Sequence, residues 1–441
     1  MALSDKLIRL EDQILERLVG KFVEVTDMEK RKTLVYQTAR GLSPNTTNEE
    51  IEQILQDVYD MGPIAPFVLD SSKVEDIMVN NTENVFIYES GVGYRKLPDK
   101  FSDRDELDRF VNKLKLWATN QAAKGNIMDV HMESGSRANI ITSPLGYDVT
   151  IRNFRTKPIS MIDLINLRTL DYKIAARLWL YTDGFRVRPA NLLIGGVPAA
   201  GKTTLLNAMF SFFRPDQRIV TIEETYELNS QYHENTVRLE TSEDLTMEDL
   251  VKNALRMRPD MLIVGEVRGA EANDMISAMN VGKISMATIH ASSTRDIINR
   301  LEHAPMDVPK DIIPVIDALM ISSVVFENGV PHRKIIQISE ISGIETQVLL
   351  SDIYKFDYKT HQAAPILPSV QYRDLLSRLL GITPPDLLAE EAVRAKVLEQ
   401  LNKLGKRDMA SISSAVQEYY ADPDALLKKI GLPQLSAVIR V

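Results

Sequence analysis

The chain has 441 residues, more than one compact core usually holds, so two to four domains are expected. An apolar fraction of 44% and a charged fraction of 26% suit a globular protein, and the absence of cysteine excludes disulfides and thiolate-held metal. The net charge of −9 argues against a sequence-independent nucleic-acid binder, which needs a basic surface, and the six histidines show no metal-ligand spacing.

No apolar stretch approaches the ~18 to 20 residues that span a bilayer. The start, Met-Ala-Leu-Ser-Asp-Lys, runs directly into an amphipathic pattern, so no signal peptide is expected and any membrane role is peripheral, through a partner. Residues 1–62 read as a helical bundle. Leu3, Leu7, Leu10, Ile14 and Leu18 share one helical face, and a second pattern runs from Asp27 to Arg40. Thr47 and Glu50 form a capping-box signature ahead of Ile51, Leu55 and Val58, and Gly62-Pro63 ends the segment.

Residues 63–158 read as an α+β domain. Asp76 to Asn80 and Asn84 to Tyr88 are β-like, Asp105 to Trp117 is helical, and the turn Gly135-Ser136-Arg137 feeds Ala138 to Ile141. Val149 to Arg152 is another strand, and Lys157-Pro158 begins a linker. Residues 159–363 alternate strand and helix patterns, which implies a mostly parallel sheet covered by helices. Strands are expected at Asn191–Ile194, Arg218–Ile222, Met261–Val264, Ser285–Ile289 and Ile335–Ile338. Beyond the turn at His361 to Pro365, residues 364–441 read as a helical appendage, with Val393, Val397, Leu401 and Leu404 on one face and Ile412, Val416 and Tyr419 on another.

The stretch that organises the chain is Gly196-Val197-Pro198-Ala199-Ala200-Gly201-Lys202-Thr203-Thr204, between a short apolar strand and a helix. It fits the P-loop pattern, in which backbone N–H groups wrap phosphate oxygens at a helix N-terminus. Lys202 would reach the β- and γ-phosphates of a nucleotide and the Thr203 hydroxyl would sit on Mg²⁺. A plain strand-to-helix turn also fits the text.

Three further strand ends carry candidate chemistry. Glu223 and Glu224 close the first, where a carboxylate can polarise water beside a γ-phosphate; a pair of helix-capping acids is the alternative. Glu266 closes Met261-Leu262-Ile263-Val264-Gly265, where a P-loop enzyme keeps the acid that positions Mg²⁺ or water. Thr288 and His290 close the third and suit a group that senses the γ-phosphate, although a histidine at a strand end is more often structural. Arg256 and Arg258, before Pro259-Asp260, are either surface charges or arginines given to a neighbour's phosphates.

With these stretches in hand, the sequence resembles the secretion ATPases that drive type II secretion, type IV pili and type IV secretion, above all the CpaF/TadA branch of tight-adherence (Flp-type) pili. The matching text is Ile219–Glu224, Leu255-Arg256-Met257-Arg258-Pro259-Asp260, Val264-Gly265-Glu266-Val267-Arg268-Gly269, Ala278-Met279-Asn280 and Thr288-Ile289-His290-Ala291. In the preceding domain, Ile77-Met78-Val79-Asn80, Gly135-Ser136-Arg137 and Thr150-Ile151-Arg152 also match. Tyr419-Tyr420-Ala421-Asp422-Pro423 resembles the tails of archaeal pilus and archaellum motors.

The resemblance implies an α/β fold: a RecA-like P-loop NTPase domain after an α+β, PAS-like domain. It implies a cytoplasmic homo-hexamer that hydrolyses ATP with Mg²⁺ and works on a polytopic membrane platform protein of the TadB/TadC kind. By the same resemblance Gly196, Ala199, Ala200, Gly201, Lys202, Thr203 and Thr204 form the nucleotide cradle, with Thr203 and Glu266 at the metal. Glu223 is the catalytic acid, Glu266 the Walker B acid, His290 the His box and Arg256 an arginine finger. Arg238, in Val237-Arg238-Leu239-Glu240-Thr241, is a further candidate to reach a neighbour, and Arg137 and Arg152 reach nucleotide when the domains close. Departures are Val-Pro-Ala-Ala where the family usually has Thr-Gly-Ser-Gly, Glu224 in place of Asp, Ser242 where the branch often has Arg, and Lys283 where a His is common. Two other readings fit these residues: a conjugation-type ATPase, and a regulator that binds ATP without turning it over.

Overall fold

The structure, a computed structural model, describes residues 4–433 except 26, 70–72, 90, 91, 145, 155–157, 243, 328, 361 and 366–370. Leu3, Lys157 and His361 lie outside the described residues. The chain divides into two compact units, Met1–Lys157 and Pro158–Val441.

The first unit opens with α1 (Asp5–Leu18), α2 (Met28–Leu42) and α3 (Asn48–Val58). In α1 the stripe Leu7, Leu10, Ile14 and Leu18 is buried, as its spacing requires. The expected capping box starts α3: Glu50 N–H donates to Thr47 Oγ1 at 3.2 Å and Thr47 N–H donates to Glu50 Oε2 at 2.7 Å. After the short α4 (Ala65–Leu69) come β1 (Val74–Val79), β2 (Val85–Glu89), β3 (Gly93–Lys96), α5 (Arg104–Leu116), β4 (Ala118–Lys124), β5 (Ile127–Met132), β6 (Arg137–Ser143) and β7 (Gly146–Arg152). These strands make one antiparallel sheet in the order β3-β2-β1-β7-β6-β5-β4. Leu107, Phe110, Val111 and Leu114 of α5 pack on its apolar face. The strands at 93–96, 118–124 and 127–132 were not expected; Ala-Thr-Asn-Gln-Ala-Ala-Lys, for instance, has no apolar alternation and joins the ladder only through its partner.

The second unit begins with α6 (Met161–Asn166), α7 (Tyr172–Asp183), β8 (Leu192–Gly196), α8 (Lys202–Met209), β9 (Ile219–Glu223), β10 (Thr236–Glu240), α9 (Met247–Ala254), β11 (Met261–Val267), α10 (Glu271–Asn280), β12 (Ile284–His290) and α11 (Thr294–Glu302). It continues through β13 (Ala318–Glu327), β14 (Val330–Ile344), β15 (Val348–Asp357) and β16 (Gln362–Pro365). Helices α12 (Gln371–Leu380), α13 (Pro384–Lys403), α14 (Met409–Ala421) and α15 (Pro423–Lys429) complete it. The sheet order is β10-β9-β11-β12-β8-β13-β14-β15-β16, parallel from β10 to β13 and antiparallel beyond. This is the α/β, RecA-like arrangement expected. Leu192 and Ile194 of β8 enter the core on one face while Leu193 enters the core on the other, the period-two alternation of a strand covered on both sides.

The C-terminal helices, read above as an appendage, share the core of this unit. Val393, Val397, Leu398, Leu401, Ile412 and Val416 belong to the same apolar cluster as Trp179 and Phe212. At its centre the Arg394 guanidinium bonds both oxygens of Asp183, at 2.9 and 3.0 Å, and Glu390 Oε1 at 2.9 Å. Its carbon lies 5.1 Å from the Trp179 ring centroid. Among the described residues no helix is long and apolar enough to cross a membrane.

Replacing Arg394 with Met keeps the bulk but strands two buried carboxylates. The Arg394→Met variant is expected to lose about 3 to 5 kcal/mol in urea denaturation of this unit. A loss below about 1 kcal/mol would show that the network is dispensable.

Candidate active site

Because β8, β9, β11 and β12 run parallel, their carboxyl ends meet at one edge of the sheet, and each carries a candidate residue at or next to its last position. Gly196 ends β8, where an added Cβ would meet the Ser322 carbonyl oxygen at 2.5 Å. The loop turns through Ala199 (φ +60°) and Gly201 (φ +87°) into α8, so both adopt left-handed backbone. For an alanine that conformation costs roughly 1 to 2 kcal/mol. The loop is braced from behind: Arg333 Nε donates to the Ala199 carbonyl at 2.8 Å and Ser322 Oγ to the Ala200 carbonyl at 2.6 Å.

Lys202 is the first residue of α8 and its side chain is nearly buried. Its Nζ donates to the Gly196 carbonyl at 3.1 Å and lies 3.4 Å from His290 Nδ1. Burial lowers its pKa, with Glu266 working the other way. Thr203 and Thr204 follow in the first turn, half-buried. The helix N-terminus, the two glycines and the lysine therefore make a cradle suited to phosphate.

Glu223 ends β9 and is 2% exposed. Its Oε1 accepts the N–H groups of Glu227 and Leu228, each at 2.9 Å, while its buried Oε2 has no hydrogen-bond partner. Burial raises its pKa to about 7, against those two bonds and the Arg238 charge. Gly265 on the adjacent β11 makes room for it, since a Cβ there would meet Glu223 Cγ at 3.0 Å.

Glu266 follows Gly265 at an irregularity where β11 gains a residue relative to β12. Such a bulge re-aims a side chain. One Glu266 oxygen lies 2.6 Å from His290 Nε2, and the other accepts from Arg268 Nη2 at 2.8 Å. Burial pushes its pKa up, but Arg268, His290 and Lys202 together outweigh that and hold it low. The pKa of His290 is lowered, first by burial and then by Lys202, which favours the neutral ring. Arg268 also holds Glu224, with Nη1 3.0 Å from each carboxylate oxygen.

One expectation changes. Thr288 is buried and its Oγ1 donates to the Gly265 carbonyl at 2.5 Å, so its hydroxyl braces β11 and is not a phosphate sensor. Arg238 stands beside its own chain's Glu223, with Nη2 4.0 Å from Glu223 Oε2 and its carbon 4.1 Å from the Tyr226 ring centroid, while its Nε and Nη2 have no hydrogen-bond partner. Arg256 is exposed at the entrance to β11, and the strand from Met261 to Glu266 alone spans roughly 17 Å. It therefore lies away from its own cradle, at the opposite end of the sheet. Arg137 and Arg152, in the first unit, sit directly opposite one another on β6 and β7, and Arg152 Nε donates to Asp76 Oδ1 at 3.2 Å.

Sequence reasoning missed Ser322, Arg333 and the Arg268–Glu224 pair. The first two act from strands far along the chain, and no motif marks them. Among the described residues no cluster of three or more His, Asp or Glu side chains is placed to hold a metal alone. Glu266 Oε1, buried and without a hydrogen-bond partner, is the carboxylate oxygen that suits a cation sharing its ligands with phosphate.

The profile of a protein family described as "Type II/IV secretion system protein" matches residues 57–326. An uncharacterized protein of Methanocaldococcus jannaschii is 39% identical over 231 residues, which cover 48% of this chain and 31% of that protein. The chain thus spans about a third of that relative. The conjugal transfer protein TrbB of Rhizobium radiobacter is 28% identical over 218 residues, covering 48% of this chain and 65% of TrbB. Among solved structures, the pilus retraction motor PilT with bound ADP is 16% identical with a TM-score of 0.45, covering 82% of this chain and 92% of PilT. That likeness is too distant to carry function.

A methyl at Gly196 would drive against backbone, whereas one at Gly201 meets only the flexible Arg333 Cδ at 3.3 Å besides its strained φ. Gly196→Ala is expected to destabilise by about 1 to 3 kcal/mol and Gly201→Ala by about 1 to 2 kcal/mol in chemical denaturation. Wild-type stability for both would contradict the loop geometry.

Proposed function

The chain belongs to the type II/IV secretion system protein family, and from that premise we propose that it is a Mg²⁺-dependent ATPase. It works as a homo-hexamer at the cytoplasmic face of a membrane, powering assembly of a Tad/Flp-like type IV pilus, or protein secretion, through a polytopic platform protein of the TadB/TadC kind. The observation that carries the reading is Glu223, a buried carboxylate with one oxygen unbonded, at the same sheet edge as the glycine-bounded cradle and Lys202.

Gly196, Ala199, Ala200, Gly201, Lys202, Thr203 and Thr204 bind the phosphates of ATP through loop backbone, the α8 N-terminus and the lysine. Thr203 and Glu266 are the residues that would hold Mg²⁺, which would supply positive charge to neutralise the phosphates. Glu223 takes a proton from the attacking water with its free Oε2, and its own backbone bonds fix the carboxylate in place. His290 lies between Lys202 and Glu266 and links their positions. Arg238 steadies Glu223 from the β10 side. Arg256, at the far end of the sheet, completes a neighbouring subunit's site.

A second reading is favoured by the TrbB relative: the same motor serving a DNA-transfer channel. A prepilin gene beside a platform gene supports the pilus reading, and a relaxase gene supports the transfer reading.

Lys202→Ala is expected to abolish Mg²⁺-dependent ATP hydrolysis, and activity that survives it would overturn the site. Glu223→Gln should lower kcat about 10²- to 10⁴-fold while ATP still binds. The base works ionised and its pKa is about 7, so wild-type kcat should rise with pH through about 7. A rate flat from pH 6 to 8 would contradict that role.

Mixing Glu266→Ala with Arg256→Ala protein should restore part of the activity, because some interfaces of a mixed ring then carry both intact residues. Recovery no greater than the sum of the two variants would remove the shared-site assignment.

A further inference from the structure

Arg268 ties two carboxylates together at the mouth of the site. Its Nη2 is on Glu266 Oε2 at 2.8 Å, and its Nη1 is on both oxygens of Glu224 at 3.0 Å. Its backbone is pinned: Glu271 Oε1 accepts the N–H groups of Arg268 at 2.6 Å and of Gly269 at 2.8 Å. The side chain, 55% exposed, is therefore the part free to swing, about a fixed point. On the other side of Glu266 stand His290, and behind it Lys202, so the acid faces three nitrogen groups.

We infer that Arg268 is a resident cation that occupies Glu266 while no metal–nucleotide is bound, and that Glu224 is the acceptor that retains the guanidinium when Glu266 is given up. The inference rests on the ATPase reading above and adds a regulation to the same site. The guanidinium takes an acceptor site on Glu266 Oε2 and sets a positive charge against the carboxylate that would receive Mg²⁺, so Arg268 and the metal compete for Glu266. The exchange is cheap because Arg268 already holds Glu224 through Nη1 and does not pass through water unpaired. Arg268 is thus a positioning residue, acting through Glu266, and not a catalytic one.

The two partners should shift metal dependence in opposite directions. The measurement is the affinity of full-length protein for a fluorescent ATP analogue, N-methylanthraniloyl-ATP, at low ionic strength with saturating Mg²⁺ and with EDTA. The ratio of the two affinities separates the metal effect from the general loss of a positive charge near phosphate. Arg268→Ala is expected to raise the ratio about threefold to fivefold, because Glu266 has then lost the guanidinium that competes with the metal. Glu224→Gln is expected to lower it by a similar factor, because Arg268 has lost its second acceptor. The double variant should match Arg268→Ala, since Glu224 acts only through Arg268. Arg268→Lys, keeping the charge without the fork, should fall between wild type and Arg268→Ala.

An Arg268→Ala ratio at or below that of wild type, a Glu224→Gln ratio above it, or a double variant differing from Arg268→Ala would overturn the inference and leave the ATPase reading standing. A wild-type protein that binds the analogue equally with Mg²⁺ and with EDTA would remove the metal assignment of Glu266, and this inference with it. Both side chains are more than half exposed, so misfolding does not confound the variants; matching melting curves verify this.

Discussion

The constraint on which the site depends is the shared direction of β8, β9, β11 and β12. Parallel neighbours place their carboxyl ends together whatever the chain does between them, and crossover helices return the chain to the same starting edge. Gly196 and His290 are direct register partners, although 94 positions separate them in sequence. Slipping one strand by one residue would turn its terminal side chain to the other face, and two covered faces oppose that slip. Burial of Leu192, Leu193 and Ile194 thus holds the chemistry in register.

Two carboxylates at that edge have opposite electrostatic settings. Glu223 is enclosed, with Arg238 no nearer than 4.0 Å, and burial wins: its pKa rises to about 7. Glu266 is half-buried and meets Arg268 and His290 at 2.8 and 2.6 Å, and charge wins: its pKa falls. One acid is thereby suited to exchange a proton near neutral pH, and the other to remain an anion for a cation to bind. The separation arises from depth of burial together with distance to charge, since both side chains are glutamates on neighbouring parallel strands.

The helices beyond residue 371 link the sequence to the site indirectly. Trp179 of α7 stacks on Phe212, just past the P-loop helix, with centroids 5.5 Å apart. Tyr420 of α14 accepts from Trp179 Nε1 at 2.8 Å and donates to the Phe212 carbonyl at 2.7 Å. The rear of α8 therefore rests on a layer supplied by the C-terminal helices. Pairing Arg394 with Asp183 and Glu390 buries charge inside that layer, where loss of any one member leaves the others uncompensated.

The strand and helix ends that carry the candidate site were legible from residues alone. Gly196 to Thr203 has a spacing that serves phosphate, and Glu223, Glu266 and His290 each close an apolar run that could only be a buried strand. Local text determines those features because strand burial and a helix N-terminus are local properties. Partners were not legible. That Arg238 turns to its own Glu223, that Thr288 spends its hydroxyl on the Gly265 carbonyl, and that Ser322 and Arg333 brace the loop all depend on which strands become neighbours. Strands β10, β13, β15 and β16 went unread: Thr-Val-Arg-Leu-Glu of the edge strand β10 is half-buried and polar, and β13 mixes helix formers (Ala, Leu, Met, Glu) with strand formers (Ile, Val, Phe). Residue types and the end of each strand were set by the sequence itself; which charge meets which carboxylate, and at what distance, was decided only by the order of strands in the folded sheet.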